Sequence, residues 1–228
     1  MRTPNTLWLS EVFDSIQGEG PLMGQPATFI RTAYCNLHCT WCDAWYTWDH
    51  KRIDVKANSY AVNTQTYKPE MKRIVILTGG EPLLQQEALF QFIRTNPNHD
   101  YQFETNGTII PNSSAMTFRP VYYVVSPKLL NNQADSKRQR IRDVPMKWFR
   151  NNSAYFKFVI KNPSDLKEVG RILLDYDIHA RRVWLMPEGR SSEELDRVAP
   201  FVADECKRQG YNYSDRLQIR LWGDKRGT

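Results

Sequence analysis

The chain has 228 residues, 41% of them hydrophobic and 25% charged, and carries a formal net charge of +6. This length fits one domain with a sizeable core, and the positive charge suits an anionic partner or substrate without identifying one. No apolar run approaches a membrane span and the first six residues lack a signal-peptide core, so we expect a single domain over residues 1–228, in the reducing cytoplasm and not in a membrane.

The first part of the chain is predicted to be rich in β-structure. An opening strand covers residues 8–13 and leads into a polar turn with two glycines around residues 18–20, which either faces a ligand or simply connects a hairpin. A second strand at residues 27–32 delivers the chain into a loop that holds three of the four cysteines. Residues 49–70 are polar and show no sustained period, so they are predicted to be irregular.

Strands and helices then alternate. Five strands are predicted at residues 73–77, 101–104, 121–125, 155–160 and 182–185. All but the fourth end in a polar turn, and amphipathic helices are predicted after residue 82 and around residues 166–176 and 195–206. This alternation predicts an α/β fold with a parallel sheet and one shared site at its polar edge. The chain is short for eight strand–helix units, which favours a shortened, modified (β/α) partial barrel.

Three smaller features complete the predicted fold. Ser191 and Glu194 have the spacing of a capping box at the start of the last amphipathic helix. Cys206 lies on the apolar face of that helix and is interpreted as a core residue. Residues 217–221 are predicted to form a last strand before a short tail.

Residues 129–150 interrupt the alternation with a basic stretch that contains interleaved aromatic side chains. Such a stretch can grip nucleic acid. A solvated loop beside the site is the favoured interpretation, because no stacking platform or base-reading element accompanies the charges. We therefore do not expect a nucleic-acid partner.

The cysteine loop carries the strongest chemical signal. Cys35, Cys39 and Cys42 follow a C-x3-C-x2-C spacing, which can gather three thiolates around an iron–sulfur cluster. Three ligands leave one iron of a four-iron cluster open to a small molecule. The alternative is a structural zinc site, which needs a fourth protein ligand. That ligand would have to be His38, His50 or Cys206. A disulfide is disfavoured because three crowded cysteines cannot pair evenly.

Together with Gly79-Gly80-Glu81-Pro82, the cysteine loop resembles the radical S-adenosylmethionine (SAM) superfamily. The resemblance implies a [4Fe–4S] cluster whose open iron chelates the amino and carboxylate groups of SAM. Electron transfer from the cluster then cleaves SAM to a 5′-deoxyadenosyl radical. It further implies that the glycine-rich strand end binds the methionine ammonium group and that Trp41 lies near the adenine. The reductant implied is an electron donor such as flavodoxin or ferredoxin.

The segment at residues 13–20 narrows the resemblance. Together with Arg31 and the turns at residues 104–107, 126–128 and 186–189, it resembles the 7-carboxy-7-deazaguanine synthase family over nearly the whole chain. That family converts 6-carboxy-5,6,7,8-tetrahydropterin to 7-carboxy-7-deazaguanine and ammonia, a step towards queuosine and other 7-deazapurines. The resemblance implies hydrogen abstraction from substrate C6, ring contraction, reuse of SAM as a cofactor, and a homodimer.

The resemblance also assigns site residues position by position. The pterin substrate would contact Ile16, Gln17, Gly18, Arg31, Thr78 and the carboxylate of Thr228. SAM would be held by Trp41, Cys42, Asp43, Gly80, Glu104, Asn106, Ser126, Pro127, Lys128, Leu185, Met186, Pro187 and Glu188. Arg31 also makes independent physical sense, because a guanidinium fork matches the substrate carboxylate.

One position departs from the family pattern. The family usually has Thr or Ser two residues after the third cysteine, where the hydroxyl coordinates Mg²⁺, whereas this chain has Ala44. A methyl group cannot be a ligand, so a weakened or absent Mg²⁺ requirement is expected, although water and substrate oxygens can themselves hold the ion. Two other functions stay open: a radical SAM activase that makes a glycyl radical on a partner, and a zinc-stabilised nucleic-acid-binding module.

Overall fold

The structure is a computed structural model that describes residues 5–112 and 121–228. Within these ranges nine strands form one sheet. They are Thr6–Ile16 (β1), Pro26–Thr32 (β2), Tyr60–Asn63 (β3), Ile74–Gly79 (β4), Asp100–Thr105 (β5), Val121–Val125 (β6), Tyr155–Ile160 (β7), Val183–Pro187 (β8) and Asn212–Tyr213 (β9). The α-helices in the same ranges are Gln86–Thr95 (α1), Lys137–Arg140 (α2), Asp143–Asn151 (α3), Pro163–Tyr176 (α4), Ser192–Gln209 (α5) and Leu217–Trp222 (α6).

The strands lie in the order β3-β1-β2-β4-β5-β6-β7-β8-β9. β1 is antiparallel to both of its neighbours, and every pair from β2 to β9 is parallel. The sheet is open, with β3 at one edge and β9 at the other. Residues of β1, β2, β4, β5, β7 and β8 nevertheless line one cavity, so the sheet curves around it. The predicted α/β partial barrel is therefore confirmed.

The parallel strands are apolar because helices and cavity cover both faces of the sheet. In β7 every residue after Tyr155 is buried, including Lys157. α4 begins with a capping box, in which Asn162 accepts the Ser164 amide and Asp165 accepts the Asn162 amide. Helices of this kind pack their apolar faces on the sheet and leave its polar edge free for a site. In the described part of the chain, no helix is long and apolar enough to cross a membrane.

The seven strands predicted up to residue 185 are present with small changes at their ends, and β1 shows the largest change. It runs to Ile16 instead of ending at Phe13, because its pairing with β2 continues to the Ile16–Pro26 pair. The polar turn therefore starts at Gln17. The predicted irregular segment at residues 49–70 is wrong at one place, since it contains β3. This strand has only four residues and pairs only with the start of β1, so it produces no detectable period.

The interpretation of residues 129–150 as a solvated loop is wrong. This segment contains α2 and α3, and Met146 and Phe149 of α3 are buried in the core. Phe149 packs edge-on against Tyr123 of β6 with ring centroids 5.5 Å apart. Arg140, one of the basic residues, is only 2% exposed and is paired with Glu168. The sequence pattern misled because apolar residues at helical spacing are hidden among the basic ones.

Two predictions near the carboxyl end also need correction. Residues 217–221 form α6 and not a strand, because the amides of Ile219 and Arg220 both bond back to the Arg216 carbonyl. Ser191 does cap α5 by accepting the Glu194 amide at 3.2 Å. The reciprocal half of the predicted capping box is absent, since the Glu194 carboxylate accepts the Arg190 amide instead. The core position of Cys206 is confirmed, at 5% exposure.

Candidate active site

The three clustered cysteines line the main cavity and are free thiols. The indole N–H of Trp48 donates to Cys42 Sγ at 3.3 Å, and the Asn132 amide Nδ2 donates to Cys39 Sγ at 3.2 Å. Hydrogen bonds of this kind to sulfur are one of the means by which proteins tune iron–sulfur clusters. The side chains are therefore arranged to support sulfur atoms that carry negative charge.

Burial disfavours the thiolate form of all three cysteines before a metal is bound. It raises the pKa of Cys42 to about 11, with a further contribution from the neighbouring Asp43 carboxylate. Burial likewise raises the pKa of Cys35 and Cys39. A metal that binds a thiol displaces its proton. We therefore expect these cysteines to stay protonated until a metal group binds them as thiolates.

A segment between β6 and α2 holds the cysteine loop from outside. The Asn132 carbonyl accepts both the amide and the hydroxyl of Thr40, at 3.2 and 2.9 Å. The Asn131 carbonyl accepts the Trp41 indole N–H at 3.1 Å, and Asp135 accepts the His38 amide at 2.8 Å. The loop conformation is thus fixed by residues about 90 positions further along the chain.

The possible fourth ligands of a zinc site are engaged elsewhere. The His38 ring is paired with Asp135, the His50 ring stacks on Tyr34, and Cys206 donates to the Asn212 carbonyl. Among the described residues, no three His, Cys, Asp or Glu side chains gather closely enough to hold a single metal ion. Three thiols on one loop, with an open cavity beside them, fit a cluster with one free iron better than a closed zinc site.

The strand end at Gly79-Gly80 comes very close to the cysteine loop. A Cβ on Gly80 would collide with the Tyr34 carbonyl and would lie 2.8 Å from Cys35 Cβ. Gly79 adopts a φ of 147°, which side-chain-bearing residues rarely reach. The buried Glu81 then ties this turn to the end of β5, accepting the Asn106 amide at 2.7 Å and the Thr105 hydroxyl at 2.8 Å. Backbone and cysteine loop therefore form one wall of the cavity.

A network of charged side chains lines the cavity; its members are mostly buried except for Asp43, whose side chain is 48% exposed. It consists of Glu19, Asp43, Glu104, Lys157 and Arg216. Lys157 Nζ lies 2.6 Å from Glu19 and 3.0 Å from Glu104. Arg216 pairs with Glu19 and Asp43 and donates to the Gly189 carbonyl. We call these five side chains the buried network below.

The network shifts the pKa of its members in different directions. Burial opposes ionisation of Glu19, but Lys157 and Arg216 outweigh it and hold the pKa of Glu19 well below its usual range. Arg216 likewise overcomes the effect of burial and lowers the pKa of Asp43. For Glu104 burial prevails over Lys157, so its pKa is raised. Glu104 therefore holds a proton more readily than Glu19 does.

The turn after β1 contacts this network directly. Gln17, which is only 3% exposed, donates its side-chain amide to Glu104 at 3.3 Å. Gly18 lies against Gln218 so closely that an added Cβ would overlap its side chain. The Gly18 carbonyl also accepts the Leu217 amide at 3.0 Å. The turn is thus fixed between β5 and the start of α6.

Arg31 lines the same cavity. Its Nε donates to Glu11 Oε1 at 2.7 Å, and the Tyr46 hydroxyl donates to the same oxygen at 2.7 Å. Glu11 Oε2 accepts Arg226 Nε at 2.8 Å. Although burial opposes it, Arg31 and Tyr46 lower the pKa of Glu11, so this carboxylate is ionised at neutral pH.

Ala44 lines the same cavity, but offers no ligand oxygen from its side chain. The nearby Thr47 hydroxyl donates to the Ala44 carbonyl at 2.7 Å, and the adjacent Asp43 carboxylate is paired with Arg216. A hard cation needs several oxygen ligands. The side chains around Ala44 therefore do not fit a bound Mg²⁺.

Most residues assigned from the sequence lie around the one cavity. Those that line it are Ile16, Gln17, Gly18, Arg31, Cys35, Cys39, Trp41, Cys42, Asp43, Thr78, Gly80, Glu104, Asn106, Ser126, Lys128, Met186, Glu188 and Thr228. Pro127, Leu185 and Pro187 do not line it, and the Leu185 side chain is fully buried in the core.

The sequence interpretation missed several cavity residues. It assigned no role to Lys157, Arg216, Gln218 or Trp48, all of which line the cavity, and it left open whether the Glu19 carboxylate faces a ligand. Lys157 had a detectable signal, because a lysine within a buried apolar strand requires a partner. Arg216 and Gln218 had none, since their partners lie nearly 200 residues away in the sequence.

Comparison with known proteins agrees with this geometry. The pattern of the Radical SAM superfamily matches residues 29–170. A 7-carboxy-7-deazaguanine synthase from Rhodopirellula baltica is 33% identical, over 98% of this chain and 90% of its own length. A synthase of the same name from Pyrobaculum aerophilum is 34% identical, over 95% of both chains.

A solved structure shares the fold. The crystal structure of QueE from Escherichia coli matches with a TM-score of 0.67 and 22% identity, covering 93% of this chain and 94% of that one. At this identity the likeness supports the fold alone. The sequence relatives carry the assignment further: the chain belongs to the radical SAM superfamily and, within it, to the 7-carboxy-7-deazaguanine synthase family.

Proposed function

We propose that the protein is a radical SAM lyase that converts 6-carboxy-5,6,7,8-tetrahydropterin to 7-carboxy-7-deazaguanine and ammonia. One observation carries the proposal: the three cysteines, the turn at residues 16–18 and Arg31 all face the same cavity. A site for an iron–sulfur cluster and a site for a small carboxylated substrate are thereby brought together. The relatives that share this chain's length bear the name of the same synthase.

Membership of the radical SAM superfamily implies a [4Fe–4S] cluster and SAM. Cys35, Cys39 and Cys42 would hold the cluster, and when bound, cluster and SAM supply the radical that removes hydrogen from the substrate. The protein's own residues bind and orient. Gly80 lets the backbone wall approach the cofactor closely, and Trp41, covered by Lys128 at 5.5 Å, offers an aromatic face for a base.

The substrate would lie between the buried network and Arg31. The Arg31 guanidinium uses only its Nε for Glu11, which leaves its two terminal nitrogens for a bidentate carboxylate contact. Gln17 and the backbone of Gly18 would contact the ring system from the turn. Glu104, whose pKa is raised by burial, is the network member best suited to exchange a proton with a substrate nitrogen.

An anaerobic assay of the cluster-reconstituted protein tests this function. The mixture contains dithionite, SAM and 6-carboxytetrahydropterin and is analysed by mass spectrometry. We expect 7-carboxy-7-deazaguanine to accumulate with little SAM consumed. Formation of 5′-deoxyadenosine without that product would support radical SAM chemistry but contradict the proposed substrate, as expected for an activase or another radical SAM enzyme.

The assay also tests a second proposal, that this enzyme has a weak Mg²⁺ requirement or none. The support is Ala44, together with the engagement of Thr47 and Asp43 described above. We expect the rate to change less than about twofold between EDTA and 5 mM Mg²⁺, on the principle that Mg²⁺ needs oxygen ligands to bind. The Ala44→Ser variant, which restores a hydroxyl, should be activated more steeply. A steep activation of the unmodified enzyme would contradict the proposal.

Three further properties belong to the same proposal. The electron would come from a small redox protein such as flavodoxin or ferredoxin. Free thiols suit a reducing compartment such as the cytoplasm.

A homodimer is supported by the exposed Val144 of α3 and Leu174 of α4, apolar side chains on neighbouring helices. Light scattering of the purified protein, before and after replacing both residues by Ser, distinguishes a dimer from a monomer.

A further inference from the structure

Glu11 gathers two arginines, one on each of its carboxylate oxygens. Oε1 accepts Arg31 Nε at 2.7 Å and Oε2 accepts Arg226 Nε at 2.8 Å. Both guanidiniums therefore contact Glu11 with the same edge, through Nε. Within residues 5–112 and 121–228, no hydrogen bond engages the terminal Nη atoms of either arginine. Two forks of unused donors are thus held side by side.

Tyr46 fixes the arrangement. Its hydroxyl donates to the same Glu11 oxygen as Arg31, and the Arg226 guanidinium lies over its ring at 4.0 Å from the centroid. A cation stacked on an aromatic face is oriented as well as stabilised. Arg226 comes from the tail after α6, so these contacts anchor the tail beside Arg31.

Arg226 lies beside the main cavity and does not line it. It lines a second cavity that shares Phe13, Arg31, Ala44 and Thr228 with the main one. Its side chain is 48% exposed, whereas that of Arg31 is 19% exposed. Arg226 is therefore the more solvent-accessible of the two guanidiniums that share Glu11.

The charge of this group is unbalanced. Counted by themselves, the two guanidiniums and the Glu11 carboxylate carry a net charge of +1. The Asp43 carboxylate also acts on Arg31, but it is itself paired with Arg216. A guanidinium with both Nη atoms free binds a carboxylate in bidentate fashion more strongly than an ammonium does. The group has both the charge and the donor geometry for an anionic substituent.

We propose that Arg226 is a second carboxylate-recognising residue, and that Glu11 and Tyr46 position it beside Arg31. The pair then selects a pterin that carries a carboxylate over one that does not. This inference rests on the proposed function, which supplies the substrate class. Glu11 and Tyr46 are positioning residues, since they act through the two arginines.

Binding of two oxidised pterins tests the proposal without turnover. 6-Carboxypterin and 6-hydroxymethylpterin differ in the anionic group, and their fluorescence reports binding to the cluster-reconstituted protein with SAM present. We expect Arg226→Ala to weaken the binding of 6-carboxypterin at least tenfold, because charge-assisted bidentate contacts are strong. The binding of 6-hydroxymethylpterin should weaken less than twofold. Arg226→Lys, which keeps the charge but not the fork, should lie between. Arg73→Ala, at an exposed arginine paired with Asp100, serves as the matched control.

The Glu11→Gln variant distinguishes a role of Glu11 in positioning the two arginines from the simple effect of its negative charge. If charge alone mattered, removing this carboxylate would strengthen 6-carboxypterin binding. Positioning predicts the opposite, a weakening of about fivefold or more, with KM for the tetrahydropterin raised and kcat changed much less. Tighter binding by Glu11→Gln would overturn the positioning role.

The outcomes also separate this proposal from the proposed function. Product formation with wild-type affinity in Arg226→Ala would overturn the role of Arg226 and leave the function standing. A wild-type protein that makes no product, yet prefers 6-carboxypterin through Arg226, would support the anion site and overturn the function. Equal weakening of both pterins by Arg226→Ala would indicate a structural effect and overturn the selectivity.

Discussion

The two charged groups of the cavity differ in how completely their members are paired. In the buried network, Lys157 and Arg216 each contact two carboxylates, and both cations are less than one-tenth exposed. In the arginine pair, Arg31 and Arg226 share one carboxylate and keep free donors. The network therefore mainly holds strands and turns together, whereas the arginine pair is available to a ligand.

The difference follows from desolvation. A buried charge without partners is strongly unfavourable, so the network must be satisfied by the protein itself. The arginine pair is partly solvated, and water satisfies its free donors until a ligand replaces it. Substitutions in the network should accordingly reduce stability first, and substitutions around the arginine pair should affect substrate affinity first.

Replacing Lys157 by Met should have the largest effect. It leaves Glu19 and Glu104 buried without their shared cation, which costs about 3–5 kcal/mol in the free energy of unfolding. Urea unfolding followed by circular dichroism measures this. Lys72→Met is the control, because its pair with Asp14 is half-exposed and worth about 1 kcal/mol at most. Equal effects of the two substitutions would contradict the distinction.

Arg216→Lys should have the next largest effect. The three nitrogens of Arg216 reach Glu19, Asp43 and the Gly189 carbonyl, and one ammonium group cannot span all three. We expect a loss of about 1–3 kcal/mol in unfolding free energy, together with weaker SAM binding through Asp43. The exposed Arg208, paired with Glu205, provides the matched Arg→Lys control. Unchanged SAM affinity would show that Asp43 does not contribute to SAM binding.

Acid should destabilise the protein through the network. Because Glu19 and Asp43 have a lower pKa in the folded protein than in the unfolded chain, their stabilisation is present above the ordinary carboxyl pKa of about 4 and is lost as the pH falls towards the folded values. The loss is on the order of 1–3 kcal/mol for Glu19 and smaller for Asp43, whose side chain is 48% exposed and therefore screened by solvent. Unfolding measured from pH 6 to pH 3 checks this. Glu19→Gln should show a flatter dependence, and an identical slope would exclude Glu19 as its source.

Tyr46→Phe should have the smallest effect on stability. It removes one hydrogen bond to Glu11 and keeps the ring beneath Arg226, so we expect a loss of about 1 kcal/mol or less. Its effect on KM for the pterin should be a few-fold, since Glu11 retains both arginines. A large loss of stability with unchanged KM would place Tyr46 with the buried network and not with the arginine pair.

The sequence predicted the local features of the site. The cysteine spacing, the glycines after β4 and the polar turns after successive strands all depend on residues close together in the chain. The partners of the charged side chains are not local. Glu11 and Arg226 are 215 positions apart, and Lys157 and Glu19 are 138 apart, so no spacing reveals them. The helical period of α3 was hidden for a different reason, since its apolar residues are interspersed with charged ones.

The hydrogen bonds between the turn after β1 and residues 214–218, at the start of α6, have a consequence during protein synthesis. The Gly20 amide donates to Ser214, the Gly18 carbonyl accepts from Leu217, and Glu19 receives both Arg216 and Gln218. The turn is translated 194 to 199 residues before these partners. A ribosome-bound chain that has emerged only as far as α5 has all three cysteines but lacks the residues that hold the turn after β1. The cysteine loop and this turn can therefore become ordered at different times, with the turn fixed later.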